Sequence, residues 1–370
     1  MSLTSMLNGN SQQDKEFQEI FKKYLPLKED FNTLYGSVPF SVDSDPSVPY
    51  NLKSQYDASV VGVAFEYYAR FSIAYRVLNG KEGAYRGLKS ERGLQILIKS
   101  INKKLSAKIL ERYEYSLTNY IESIYRGCTE EIFSSIPEKR LSLMEARCLG
   151  LFEKNVETNG LPKWESNWDG DKALNMMYKT IDICCFFARL ELIARSNIIP
   201  NNLDILLQRE GSEITHELLN LMSEFKEKFN ILDIVSPTSK VIFSPDFGIY
   251  GQMICGGADA DIYIDGILYD FKTGKNFGYN WREIAQLTGY FFLNDYAEIV
   301  YQMYEKDLSE DQLTKRSPPL LNCNILRLAF YRARLGEIQY VDTSMFTKDQ
   351  RLEIVDELIS FNVKFGNKTS

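Results

Sequence analysis

Histidine is almost missing from this chain of 370 residues: the one present, His216, lies in EITHELLNLM, which is not an HExxH arrangement. Chemistry that needs two or more histidines is excluded, and carboxylates and lysines are left to carry any catalysis. The six cysteines, Cys128, Cys148, Cys184, Cys185, Cys255 and Cys323, form no CxxC pair. Neither a zinc knuckle nor a disulfide framework is suggested, and buried reduced thiols are expected. Long apolar runs are lacking too. The most apolar helical segment, 181–194, is broken by Asp182, Arg189 and Glu191, and the N-terminus MSLTSMLNGNSQQDKEF has no basic or apolar leader region. The chain therefore reads as soluble and cytoplasmic, with no membrane contact. A global excess of positive charge is absent as well: the net charge is −7, so any contact with nucleic acid must be local. Glycine and proline are sparse and no low-complexity tract is visible, while hydrophobic residues make up 44% of the chain, which excludes a disordered or fibrous protein.

What is present divides by periodicity. Residues 14–25 have the pattern of a short amphipathic helix, followed by a proline-punctuated loop to about position 56. Apolar residues at helical spacing predict a buried helix over 57–79. Segments 89–127, 129–156, 170–197 and 203–230 repeat the i, i+3, i+4 pattern and form a helical block. Short strands are then expected at 240–244, 258–264, 267–272 and within 325–342, interrupted by one helix from Trp281 to about Tyr304. The expected organisation is an N-terminal helix and loop (1–56), an α/β core from 57–79 and 238–342, a helical insertion (80–237) and a C-terminal helix (343–370).

One stretch, GGADADIYIDGILYDFKTGK, gathers four aspartates and two lysines on apolar strands. Asp265-Gly266 is the signal for a two-residue type I′ turn, because both central positions need positive φ. That register sets Ile264 against Ile267, Ile262 against Tyr269, Asp261 against Asp270 and Asp259 against Lys272. Strand alternation then puts Ala258, Ala260, Ile262, Tyr269 and Phe271 on one face and Asp259, Asp261, Asp270 and Lys272 on the other. Opposed carboxylates repel unless a cation sits between them, and a hard divalent ion with oxygen ligands is the simplest candidate. A solvated strand face neutralised by Lys272 is the plain alternative. An EF-hand begun at Asp261 fails because Lys272 stands where a bidentate Glu is needed. KTGK lacks the GxxxxGK[ST] order of a phosphate loop. Asp259-Ala260-Asp261 also fits the DxD of a sugar-nucleotide glycosyltransferase, which leaves Asp270-Phe271-Lys272 unexplained.

The order Gly256-Gly257-Ala258-Asp259-Ala260-Asp261, then Asp270-Phe271-Lys272, then Gln286-Leu287-Thr288-Gly289-Tyr290, resembles the PD-(D/E)XK nuclease superfamily in its RecB-like branch. Upstream, Gly62 and Glu66 in VVGVAFEYYARF match the small residue and fourth acid of that pattern. The resemblance covers the core alone. It implies an α/β (α+β) fold with a restriction-endonuclease-like core, a mixed β-sheet flanked by helices, carrying here a large helical insertion. It also implies a Mg²⁺- or Mn²⁺-dependent nuclease acting on nucleic acid, DNA ahead of RNA, with a role in bacterial repair or in defence against phage and mobile elements. A homodimer or a protein partner in a larger complex is compatible with it. By the same resemblance Asp261 and Asp270, with Glu66 directly or through water, hold the metal, Lys272 contacts the phosphate and Gln286 orients Lys272 or a nucleotide phosphate. The doublet leaves Asp259 as a competing ligand; the two-residue turn favours Asp261 and gives Asp259 the role of orienting Lys272. The literal Pro245-Asp246 is read as coincidence, and the lack of a four-cysteine cluster implies no iron–sulfur centre. A non-catalytic nucleic-acid or protein-interaction module on the same fold is the second reading.

Between positions 81 and 112, nine basic residues face three acidic ones. Lys99, Lys103, Lys104 and Lys108 are therefore candidates for a phosphate-backbone cradle, against the alternative of a solvated helix face.

Overall fold

The computed structural model describes residues 2–36, 38–78, 80–85, 87–106, 112–135, 170–208, 210–229, 234–304 and 317–366. Among them are a six-stranded mixed sheet and helices on both of its faces. The helices are α1 (Leu3–Asn8), α2 (Gln12–Lys22), α3 (Gln55–Arg76), α4 (Gly80–Tyr85), α5 (Lys89–Ser106), α6 (Arg112–Ser135), α7 (Gly170–Ser196), α8 (Ser212–Lys228), α9 (Gly248–Cys255), α10 (Trp281–Tyr304) and α11 (Lys348–Phe365). The strands are β1 (Asn32–Leu34), β2 (Val241–Phe243), β3 (Ile262–Ile264), β4 (Ile267–Lys272), β5 (Arg327–Arg332) and β6 (Glu337–Asp342).

The spatial order is β1-β6-β5-β4-β3-β2. Neighbours are antiparallel except β4 and β5, whose parallel pairing requires a long crossover, and α10 provides it. Each face of the sheet carries its own core. On one, Ile262, Ile264, Tyr269, Phe271 and Tyr331 pack with α3 and with side chains of α5, α6, α7 and α8. On the other, Tyr263, Leu268, Leu328 and Phe330 pack with α1, α2, α9, α10 and α11. Helix α3, capped by Ser54 accepting from the Asp57 amide at 3.0 Å, is buried over most of its length because it lies between sheet and helical block. Helix α10 matches the span expected from its periodicity.

Several boundaries differ from expectation. The 1–56 region is more than a helix and loop: β1 adds an edge strand to the sheet, and α1 and α2 join the core of α10 and α11. The helical block shares one continuous core with α3 and the sheet, so 80–237 is an insertion in sequence and part of the same packing unit in space. Helix α6 runs through the break expected near position 128, and the remainder of the expected 129–156 helix lies outside the described residues. Helix α9, only eight residues long, lies among expected strands and was not anticipated. Segment 325–342 is the hairpin β5–β6, with Gly336 at φ +63° in its turn.

The Asp265-Gly266 turn has φ of 44° and 96°, as a type I′ turn requires, and the register of Ile264 on Ile267 and Ile262 on Tyr269 is the expected one. The ladder stops there. Asp261 sits in a bend, and its Oδ2 accepts the Phe271 amide at 2.5 Å, where a continued ladder would use the Ala260 carbonyl. The chain beyond turns toward β2 instead: the Ala260 amide donates to the Pro245 carbonyl, and Asp259 bridges Asp246. Strict alternation fails at this bend, so Ala258 and Ala260 pack in the α10 core while Ile262 packs in the α3 core. Asp259 is consequently not opposite Lys272, and Asp261 and Asp270 are not a ladder pair.

Candidate functional site

Four separated segments meet at the end of the β3–β4 hairpin. Gly62 lets α3 approach it closely: a Cβ there would stand 3.2 Å from the Thr273 hydroxyl. One helical turn on, Glu66 faces the bend at Asp261, and both line a narrow chamber with Asp259, Glu191, Lys89 and Arg70. The chamber offers about 30 Å³ to water-sized groups, enough for an ion and a water but not for a nucleotide. Its acids face fixed cations. Glu66 lies 3.4 Å from an Arg195 nitrogen, Arg195 also bonds Glu191, and Asp259 is ion-paired with Lys89.

Asp270 occupies the same strand end but faces α10. Its Oδ2 is 2.5 Å from the Lys272 ammonium, close in distance yet without an aligned hydrogen bond, in a side chain that is 4% exposed. Lys272 donates to Gln286 Oε1 at 3.3 Å, while Gln286 Nε2 donates to the Tyr290 hydroxyl at 2.6 Å and to Asp270 Oδ1 at 3.5 Å. The i, i+4 spacing of Gln286 and Tyr290 on α10 produces that contact directly. Gln286 thus holds acid and base of the Asp-x-Lys pair together.

The electrostatics are those of acids crowded together and partly withdrawn from water: the Asp270 side chain is 4% exposed, that of Glu66 30%. Burial pushes Glu66 up to about 7; Arg195 and Lys89 oppose the shift, and Glu191 and Asp270 add to it. Burial likewise raises Asp261 well above the usual carboxylate range, reinforced by Glu66 and Asp270 and opposed by the Phe271 amide and Lys272. Asp270 is raised by burial against the pull of Lys272. For Lys272 burial acts downward, yet Asp270, Glu283 and Asp261 together outweigh it, so the ammonium stays charged. Mutual influence of Glu66, Asp261 and Asp270 places them within electrostatic reach of one another.

Asp259 does not orient Lys272; Lys89 holds it. Asp246 is exposed, bridges Asp259 through the backbone, and its side chain accepts the Gly248 amide at the start of α9. Lys99, Lys103 and Lys104 are exposed on α5, about 15 to 22 Å along the helix from Lys89 at 1.5 Å per residue. Lys89, Arg92, Lys99 and Lys103 share a stripe about 80° wide, beside which Lys104 pairs with Glu114 at 3.2 Å. Lys108 lies outside the described residues. Sequence reasoning missed Lys89, Glu191 and Arg195 as site residues. The available signal was the interruption of the most apolar helix by charge: Glu191 is 5% exposed and faces the chamber.

Among the described residues, no three His, Cys, Asp or Glu side chains converge as a ready-made metal cluster. The donor set nevertheless suits a hard cation: oxygen ligands alone, with Asp270 Oδ2 buried and poorly bonded. No protein-family model, curated protein or solved structure matches the chain.

Proposed function

We propose that the chain is a metal-dependent nuclease that hydrolyses phosphodiester bonds of nucleic acid, DNA ahead of RNA, on a restriction-endonuclease-like core. The carrying observation is the meeting of Glu66, Asp261, Asp270, Lys272 and Gln286, drawn from α3, the bend, β4 and α10, around one strand end. The mixed sheet, with one parallel pair joined through α10, supports the same reading.

Glu66, Asp261 and Asp270 would hold Mg²⁺ or Mn²⁺, which when bound polarises the scissile phosphate and acidifies a coordinated water. Lys272 places a fixed positive charge where charge develops on the phosphate oxygens, and needs no reorganisation because Gln286 and Asp270 already hold it. Arg195 and Lys89 neutralise Glu66 and Asp259 until a cation takes over that role. Asp261 remains the preferred ligand of the doublet. It borders both Glu66 and Asp270, whereas Asp259 is bound by Lys89. A DxD glycosyltransferase would use Asp259 and Asp261 and leave Asp270, Lys272 and Gln286, joined in one network, without a role.

The test is a cleavage panel of plasmid, linear duplex, single-stranded DNA and RNA with Mg²⁺ or Mn²⁺ and with EDTA. Metal-dependent degradation is expected, and full activity of Asp270→Ala would sink the assignment. The ion pairs that hold Glu66, Asp259 and Asp270 favour one second reading, a non-catalytic nucleic-acid-binding module; it predicts binding unchanged by Asp270→Ala and no cleavage with any metal.

A further inference from the structure

Beyond the carboxyl ends of the parallel pair β4–β5 lies a second cavity, of about 270 Å³ for water-sized groups. Strand ends of this kind are where parallel sheets receive ligands. Its lining is cationic in a chain that is anionic overall: Lys272, Lys275, Arg332 and Arg334 face one acid, Glu283.

The four cations are not equivalent. Arg334 is saturated: its guanidinium donates to the Thr273 carbonyl at 2.6 Å and the Pro49 carbonyl at 2.8 Å and is ion-paired with buried Glu217. It holds the loop after β4 in place. Arg332 is 2% exposed; Nε donates to Gln339 at 3.2 Å and Nη1 to Glu283 at 2.7 Å, but Nη2 has no acceptor among the described residues. The rings of Phe330 and Phe40, 4.7 and 5.5 Å away, hold the guanidinium plane. A buried donor of this charge without an acceptor is costly and marks a missing partner. Lys275 is exposed, rests over the Tyr50 ring at 5.3 Å, and has no ion pair among the described residues. The KTGK turn, Lys272 to Lys275, supplies backbone between them.

We propose that this cavity binds a phosphate monoester, the terminal phosphate of a nucleic-acid strand. Lys272, Arg332 and Arg334 each have an acid of their own, so Lys275 is left as the cation without an ion pair; with Arg332, whose Nη2 lacks an acceptor, it lines a cavity that admits a phosphate and the sugar that carries it. The inference rests on the nuclease reading for its choice of nucleic acid, and its test is read in binding without turnover.

Fluorescent single-stranded oligonucleotides with a 5′-phosphate, a 3′-phosphate or hydroxyl ends are titrated onto the full chain in EDTA, where no cleavage occurs. Inorganic phosphate and a nucleoside monophosphate serve as competitors. One phosphorylated end is expected to bind at least tenfold tighter than the hydroxyl-ended strand, with the advantage abolished in Lys275→Gln and in Arg332→Lys. Competition by the mononucleotide alone, with no preference among strand ends, would replace the strand terminus by a free nucleotide and overturn the assignment. Equal affinity for all ends without competition, or a preference that survives Lys275→Gln, also overturns it. Loss of cleavage in other assays would leave this measurement unaffected.

Discussion

The chamber beside α3 and the cavity beyond β4 both border the same strand end, yet they carry opposite charge and are closed in opposite ways. In the chamber three of the four acids already meet a cation, Arg195 for Glu66 and Glu191 and Lys89 for Asp259, while Asp261 accepts the Phe271 amide. In the cavity Glu283 answers Arg332 through one nitrogen while a second stays unbonded, and Lys275 has only a ring. The difference teaches that the protein stores its anionic donors in a self-neutralised state and its cationic donors in a ligand-ready one. A divalent ion entering the first would compete with Arg195 and Lys89 for the acids; an anion entering the second would meet Lys275, which has no ion pair among the described residues.

The sharpest way to break this comparison is to remove the acid that borders both Glu66 and Asp270. Asp261→Asn should lower cleavage about 10³-fold, since metal stabilisation of the transition state supplies several kcal/mol and each 1.36 kcal/mol is tenfold. It should also abolish the Mn²⁺-induced rise in Tm, whereas Asp259→Asn should keep most of that rise. Calorimetry showing the reverse pattern would transfer the ligand role to Asp259.

The frame of the basic cavity is tested through stability. Glu217 and Arg334 are each 1% exposed, and removing one member of such a pair leaves an uncompensated buried charge. Glu217→Gln should destabilise the fold by about 3 to 5 kcal/mol in urea unfolding. A cost under about 1 kcal/mol would place this pair with ordinary surface ion pairs.

A third measurement sharpens the chamber's side of the comparison by pH. Glu66, at about 7, has a folded pKa above its unfolded one, so without metal its contribution to stability is greatest at low pH and is lost as pH rises toward about 7; Asp261, also raised, acts in the same direction. Metal binding requires the ionised forms. The Mn²⁺-induced increase in Tm should therefore be larger at pH 8 than at pH 6, and an increase independent of pH would place the ion elsewhere.

The smallest effect is expected from the α5 stripe. Replacing Lys99, Lys103 and Lys104 by alanine should flatten the log–log salt dependence of binding by about 0.7 to 0.9 for each phosphate that is no longer neutralised. An unchanged slope would make this stripe a solvated face.

Much of this was legible along the chain. Pattern alone located α3 and α10, because their apolar positions recur at helical spacing. Asp265-Gly266 fixed the hairpin turn, since only a type I′ turn matches that dipeptide on twisted strands. Asp270 and Lys272 were readable together because alternation on one strand is a local property, whereas Gln286 was singled out by the resemblance alone. The parity change at Asp261 was not local. It depends on the Ala260 amide finding the Pro245 carbonyl and on the Asp261 carboxylate replacing a backbone acceptor, and neither partner is marked by spacing. The same holds for Lys89, Glu191 and Arg195, which reach the acids only because α5 and α7 pack on α3. Sequence by itself determined which residues alternate, which turn, and which acids share a strand end. The tertiary structure decided which cation each acid meets and which donor is left without a partner, because ion pairing depends on distances across packed elements that periodicity does not encode.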